Sequence, residues 1–204
     1  TGRQTRMVPD AFIEPEDDVA IDASVTDPSG CFFCPDTVQD ATPKYPDFVG
    51  FDRGSEGEAT SFPNLNPYAA HSNVVVLTED HYVPLEDLSA EILTDGLRAA
   101  LEYVAAVFEA DEEATVASVN MNLLPTAGSS IIHPHVQAVV DDRGTTSQQA
   151  RLDGAREFTE ETGDAYFDSL LAVSRDTDRY IGSVGAVEWI APFAPRHHRH
   201  IRGI

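Results

Sequence analysis

Two histidines separated by a proline constrain this chain most strongly, within the segment Ser-Ile-Ile-His-Pro-His-Val-Gln from Ser130 to Gln137. Residues 131–140 are predicted to form a strand, in which alternate side chains lie on one face. His133, His135 and Gln137 would then share a polar face. One imidazole can attack phosphorus while a neighbouring amide holds a phosphate oxygen, so the pattern favours nucleophilic catalysis over a surface turn.

The only two cysteines of the chain, Cys31 and Cys34, lie three positions apart. A disulfide at this spacing would close a very small, strained loop. A thioredoxin-type redox pair belongs on a strand-to-helix turn, whereas Pro35-Asp36-Thr37 is predicted to be a loop. The pair supplies half of a tetrahedral zinc site. Four histidines precede the C-terminal tail: His71, His81, His133 and His135. Two of them would complete the zinc site.

With these motifs the chain resembles the galactose-1-phosphate uridylyltransferases, the transferase branch of the histidine-triad superfamily. The resemblance extends from about Thr1 to about Pro195. Its most specific part runs from Asn122 to Gln137 and keeps an Asn, a Gly-x-Ser and the His-Pro-His-x-Gln at the family's spacing. The resemblance implies an α+β, histidine-triad-like fold with a mainly antiparallel sheet and flanking helices.

The resemblance also implies a role for each residue of the site. The Zn²⁺ ligands would be Cys31, Cys34, His81 and His133, and the nucleophile would be His135. The substrate would be held by residues from three segments, of which the last is the weakest match: Asn64; Asn122, Gly128, Ser129, Ser130 and Gln137; Arg3 and Arg6. Leu124 stands where the family often has Gly, so we expect a differently shaped loop there.

The implied activity is that of a UDP-glucose:hexose-1-phosphate uridylyltransferase of galactose metabolism. His135 would attack the α-phosphorus of UDP-glucose, and galactose-1-phosphate would then attack the uridylyl-histidine. ADP-sugar and dinucleoside polyphosphate phosphorylases use phosphate against the same kind of intermediate, and the local motif does not separate them. A histidine-triad hydrolase would carry another His where Gln137 stands. A zinc-stabilised binding protein or an inactive remnant stays open as a non-catalytic alternative.

The excess of acidic residues limits the kinds of binding partner that the chain can have. The chain has 35 acidic against 13 basic residues and a formal charge of −22, which would repel nucleic acid and anionic membranes. Carboxylates spread along the chain are typical of adaptation to high salt, where screening weakens their repulsion. The chain shows no signal peptide or membrane-spanning run, and metal-bound cysteines fit a reducing compartment, so a cytoplasmic location is predicted. The family resemblance allows a homodimer.

Hydrophobic patterning predicts the main elements of the fold. Strands are expected at 73–78 and 115–122, and a helix capped by Ser89 is expected to bury Leu93, Leu97, Leu101, Val104 and Phe108. The first domain is predicted to span 1–165. Residues 166–204 would open a second histidine-triad-like domain that is incomplete, because only the first half of the family pattern is nearly whole. The last ten residues are rich in Arg and His and contain no acid.

Overall fold

The computed structural model describes residues 27–124, 127–196 and 200–204. They belong to two compact units, Thr1–Arg143 and Gly144–Ile204. The predicted start of a second histidine-triad-like domain near Tyr166 stays a prediction. None of the helices in the described ranges is long and apolar enough to cross a bilayer.

The first unit is built on a five-stranded sheet in the order β1-β2-β3-β5-β4, with every neighbouring pair antiparallel. Short 3₁₀ helices at Asp47–Val49 and Leu85–Asp87 accompany two α-helices. The bounds of the main elements are α1 Pro35–Ala41, β1 Gly54–Glu56, β2 Ala59–Pro63, β3 His71–Val76, α2 Ala90–Ala110, β4 Val116–Met121 and β5 His135–Asp141.

Helix α2 begins where predicted, because the Ser89 hydroxyl accepts a hydrogen bond from the backbone N–H of Ile92. The predicted buried face is wrong in part. Leu101 is 57% exposed, and Leu97 and Phe108 are exposed as well. The residues that pack on the sheet are mostly small and lie one position round the helix: Gly96, Ala99, Ala100, Tyr103, Val104 and Val107.

Small residues allow α2 to lie close to the sheet. A Cβ added at Gly96 would meet Leu77 Cδ2 at 2.1 Å, and Leu77 is only 1% exposed. Leu77 directly follows β3 and belongs to the core cluster under the helix. A leucine-rich face would have held the helix further away.

Alternation along β3 and β5 separates the two faces of the sheet. Val75 and Val136 lie in the core under α2. Val74 and Val76 face the other side, where they pack with Phe33 in a second cluster. Strand β3 begins two residues earlier than predicted and β5 begins at His135, so His133 precedes the strand instead of lying on it.

The second unit combines two helices with a three-stranded antiparallel sheet in the order β6-β7-β8. A capping box between Thr145 and Gln148 starts its first helix. The Arg175 guanidinium and the Tyr180 hydroxyl both donate to Glu188. The bounds are α3 Thr146–Thr162, α4 Tyr166–Arg175, β6 Tyr180–Val184, β7 Val187–Ile190 and β8 Arg202–Gly203.

Candidate active site and metal centre

Four side chains of the first unit form a group that could hold a metal ion: Cys31, Cys34, His81 and His133. Their ligand atoms all lie within 4.8 Å of one another. Cys34 Sγ lies 3.4 Å from His81 Nδ1 and 3.7 Å from His133 Nδ1, and Cys31 Sγ lies 3.8 Å from His133 Nδ1. A sulfur and a nitrogen bound to one tetrahedral zinc are about 3.6 Å apart, so these residues fit Zn²⁺.

The cysteine knuckle is followed by helix α1, and the predicted loop at Pro35-Asp36-Thr37 is wrong. Cys34 is the N-cap residue and Pro35 takes the first helical position, where its fixed φ and missing N–H suit a helix start. A helix thus follows the second cysteine, as in a redox pair, but the described residues 27–30 before the first form a turn and no strand, and two histidines lie beside the sulfurs. Burial, followed by the neighbouring Cys31, raises the pKa of Cys34 to about 11. Reactive redox thiols have lowered pKa values.

His133 is fully buried and is held from both ends of its ring. Its Nε2 donates to the backbone carbonyl of Thr78 over 2.7 Å, which leaves Nδ1 as the free lone pair beside the sulfurs. Burial lowers the pKa of His133, so the neutral form that a metal needs is favoured. The Thr78 hydroxyl donates to Glu58 Oε2 over 2.6 Å, and the backbone N–H of Glu79 donates to the same oxygen over 3.2 Å.

His135 lies at the start of β5, opposite Val76 in the sheet register. Its Nδ1 donates to the backbone carbonyl of His133 over 2.8 Å, so Nε2 carries the lone pair. Burial lowers the pKa of His135, partly opposed by that hydrogen bond, which favours the neutral imidazole. The ring of Phe33, between the two cysteines, contacts His135 edge-on with centroids 5.3 Å apart.

Two cavities meet at His135, with volumes of about 310 and 320 Å³. They share His135, Gln137, Ser130 and Tyr68. The first cavity is polar and is otherwise lined by Asn120, Asn122, Gly128 and Ser129. The second is mostly apolar, with Phe32, Phe33, Phe62 and Leu65 in its wall beside Asn64. Together they form a cleft of the size that small ligands use.

The loop before the histidines has an unusual backbone. Leu124 has φ 65°, a left-handed conformation that a glycine adopts without strain. Its carbonyl accepts hydrogen bonds from the backbone N–H groups of Ala127 and Ser129. Leu124 thus takes a conformation open to glycine, and the expectation of a differently shaped loop stays a prediction. The Ser129 hydroxyl donates to the Ile131 carbonyl over 2.6 Å, so this serine shapes the loop.

Most of the residues predicted from the sequence thus come together: the four metal ligands beside His135, and Asn64, Asn122, Gly128, Ser129, Ser130 and Gln137 around the cleft. Arg3 and Arg6 lie outside the described residues. His71 lies apart from the group and pairs with Asp111, with Nε2 and Oδ2 2.8 Å apart.

Sequence reasoning missed four residues of the site: Phe33, Glu58, Tyr68 and Asn120. Asn120 could have been found by alternation, because it lies two positions before Asn122 on a predicted strand. Phe33 lies inside the cysteine motif. Glu58 and Tyr68 give no local signal, since each reaches the site only through the folding of a loop.

No family model matches the chain. An uncharacterised protein of Archaeoglobus fulgidus is 38% identical over 177 residues, which cover 86% of this chain and 52% of that protein. The chain therefore spans about half the length of that relative.

Three solved structures share the fold. An ADP-glucose phosphorylase from Arabidopsis thaliana with bound ADP-glucose matches with a TM-score of 0.61 and 19% identity, over 83% of this chain and 56% of that chain. A GalT-like protein from Arabidopsis thaliana matches with a TM-score of 0.60 and 21% identity, over 82% of this chain and 57% of that chain. A uridylyltransferase matches with a TM-score of 0.57 and 21% identity, over 82% of this chain and 56% of that chain. The predicted α+β fold is confirmed, and the predicted resemblance is confirmed at the level of fold.

Proposed function

We propose that this chain belongs to the galactose-1-phosphate uridylyltransferase family and transfers a nucleotidyl group from a nucleotide sugar through a covalent intermediate on His135. One observation carries the proposal: His135 donates from Nδ1 to the His133 carbonyl, which leaves the Nε2 lone pair free, and the residue lines both cavities. This fixes the tautomer that a histidine nucleophile needs.

In the first step Nε2 of His135 attacks the α-phosphorus of UDP-glucose. A P–N bond forms, the P–O bond to the departing phosphate breaks, and glucose-1-phosphate leaves with the electron pair. In the second step an oxygen of hexose-1-phosphate attacks the same phosphorus, and the P–N bond breaks to return the neutral imidazole. The acceptor is proposed to be galactose-1-phosphate.

The donors for the developing charge are Gln137 and Ser130, which line both cavities. Ser129 is assigned a supporting role, because its hydroxyl and its N–H are already bonded within the loop. The apolar cavity with Phe32, Phe62 and Asn64 suits a nucleobase, and the polar cavity with Asn120 and Asn122 suits the hydroxyl-rich sugar phosphate. Arg3 and Arg6 are kept as proposed phosphate contacts.

Cys31, Cys34, His81 and His133 would hold a zinc ion with four protein ligands, a closed and therefore structural site. When bound, the ion would hold His133 in place through its ring. His133 then presents its backbone carbonyl to His135, and Phe33 packs the knuckle against the same ring. A homodimer and a cytoplasmic location are further parts of the proposal.

The test is the first half-reaction alone. The chain is incubated with UDP-glucose, and intact-protein mass spectrometry follows the uridylyl adduct while glucose-1-phosphate release is measured. His135→Asn keeps an N–H donor for the His133 carbonyl and removes Nε2, so it should abolish the adduct and keep the zinc. His71→Asn, on a histidine away from the cleft, is the matched control and should keep both.

Parallel incubations with ADP-glucose and with diadenosine tetraphosphate distinguish a uridylyltransferase from a phosphorylase. An adenylyl adduct without a uridylyl adduct would favour the phosphorylase alternative, for which an ADP-glucose phosphorylase of the same fold provides the precedent. An adduct on His133, or none with any of the three substrates, would contradict the proposal and favour the inactive alternative.

A further inference from the structure

Arg151 and Arg196 of the second unit meet at its helix α3, and the charge of Arg202 also acts on Arg151. The Arg196 guanidinium donates from Nη1 to the Ser147 hydroxyl in the first turn of that helix. Arg151 follows Ser147 by four residues and so lies next to it on the same helix face. The side chain of Arg196 therefore reaches the part of the helix from which Arg151 projects.

Arg202 contributes the third charge from strand β8, where it pairs with Ile190 of β7. Burial, followed by repulsion from Arg202 and Arg196, lowers the pKa of Arg151. Arg202 and Arg196 thus face the Arg151 guanidinium, which is exposed to solvent. The backbone N–H of Arg196 donates to His200 Nδ1 over 3.2 Å, which links the chain on either side of 197–199.

No carboxylate of the described ranges lies within 4.0 Å of these three guanidinium groups. Other arginines of the same unit do have acidic partners, since Arg156 pairs with Asp153 and Arg175 pairs with Glu188. In a chain with 35 acidic and 13 basic residues, carboxylates are abundant. A cluster of three like charges with no carboxylate partner among the described residues suits an added anion.

We propose that Arg151, Arg196 and Arg202 form a binding site for the phosphate group of a small phosphorylated molecule. A phosphate dianion offers two charges and several acceptor oxygens, which match the paired N–H donors of guanidinium groups. The Ser147 hydroxyl accepts from Arg196 and keeps its own proton for an additional bond. A polyanion such as nucleic acid does not suit this site, because the rest of the chain is strongly acidic.

The experiment is a titration of the whole, zinc-loaded chain with inorganic phosphate at constant ionic strength, followed by the side-chain Nε–H signals of its arginines in NMR. The signals of Arg151, Arg196 and Arg202, assigned by their loss in single Gln variants, should shift and saturate. Arg196→Gln and Arg151→Gln should each weaken phosphate binding about tenfold, the size expected when one charge-assisted hydrogen bond is lost. Arg156→Gln, on the same helix and ion-paired, should leave it unchanged.

Three results would overturn the assignment. Signals of the cluster that do not saturate, or that move together with Arg156, would reveal only bulk ionic effects. Acetate binding as tightly as phosphate would make the site one for carboxylates. Shifts confined to the Gln137 amide would place the phosphate in the cleft at His135 instead. Arg196→Lys controls for loss of binding through misfolding, because it keeps the positive charge but lacks the paired N–H donors of a guanidinium group. This variant should bind phosphate less tightly than the native chain and should retain the native circular dichroism spectrum.

Discussion

Replacing Gly96 by alanine tests how closely α2 approaches the sheet. The added Cβ would lie 2.1 Å from Cδ2 and 3.5 Å from Cγ of Leu77. Leu77 is 1% exposed and belongs to the core cluster, so a shift of its side chain has to be taken up by packed neighbours. Overpacking of this kind destabilises by about 1–3 kcal/mol, whereas alanine gains about 1 kcal/mol over glycine in a helix interior. The first unit should therefore lose up to about 2 kcal/mol.

Gly154→Ala is the matched control, because Gly154 lies within helix α3 and its added Cβ would meet nothing within 4 Å. It should stabilise the second unit by about 1 kcal/mol. The two substitutions share the same chemistry and should differ in sign.

The two units need separate probes. The only tryptophan, Trp189, reports on the second unit, and amide hydrogen exchange in β3 and β5 reports on the first. Leu77 precedes Thr78, whose carbonyl holds His133, so Gly96→Ala should also speed zinc release to a chelator. If Gly96→Ala instead stabilises β3 and β5 by about 1 kcal/mol, the close approach of α2 is wrong.

Three further results are expected. The purified chain should contain about one zinc ion. Cys34→Ser should lose the zinc, whereas the surface variant Ser55→Ala should retain it. A native chain that is folded and metal-free would contradict the proposed zinc site. Glu58→Gln should weaken zinc retention by about tenfold, as outer partners of ligands do, whereas Glu56→Gln on the adjoining strand should not; equal retention in both would remove Glu58 from the support of Thr78. The hydrogen bond from His71 lowers the pKa of Asp111 below its ordinary 3.8, so its stabilising effect is present above that value and is lost as the pH falls through the folded-state pKa. Asp111→Asn should flatten this part of the acid unfolding curve, and an unchanged curve would show that the pair does not contribute.

Local patterns in the sequence were enough to propose the residues of the site and to locate most of the helices and strands. The spacing of the two cysteines, the His-Pro-His-x-Gln segment and the Ser89 cap act over a few residues, so they are visible without the fold. The strand around residues 116–121 was located for the same reason, since alternation and β-branched residues report on local backbone geometry.

Tertiary structure decided which faces and which partners are used. Hydrophobicity favoured the leucines of α2, but close packing against Leu77 selected the small residues around Gly96. From the residues alone, four histidines were candidates for the two remaining zinc ligands. The family resemblance, and not the spacing, selected His81 and His133. The support from Glu58 through Thr78 to His133, and from the His133 carbonyl to His135, joins residues up to 77 positions apart in the chain. Such contacts depend on how strands and loops pack, and local sequence carries no signal for distances between segments that meet only after folding.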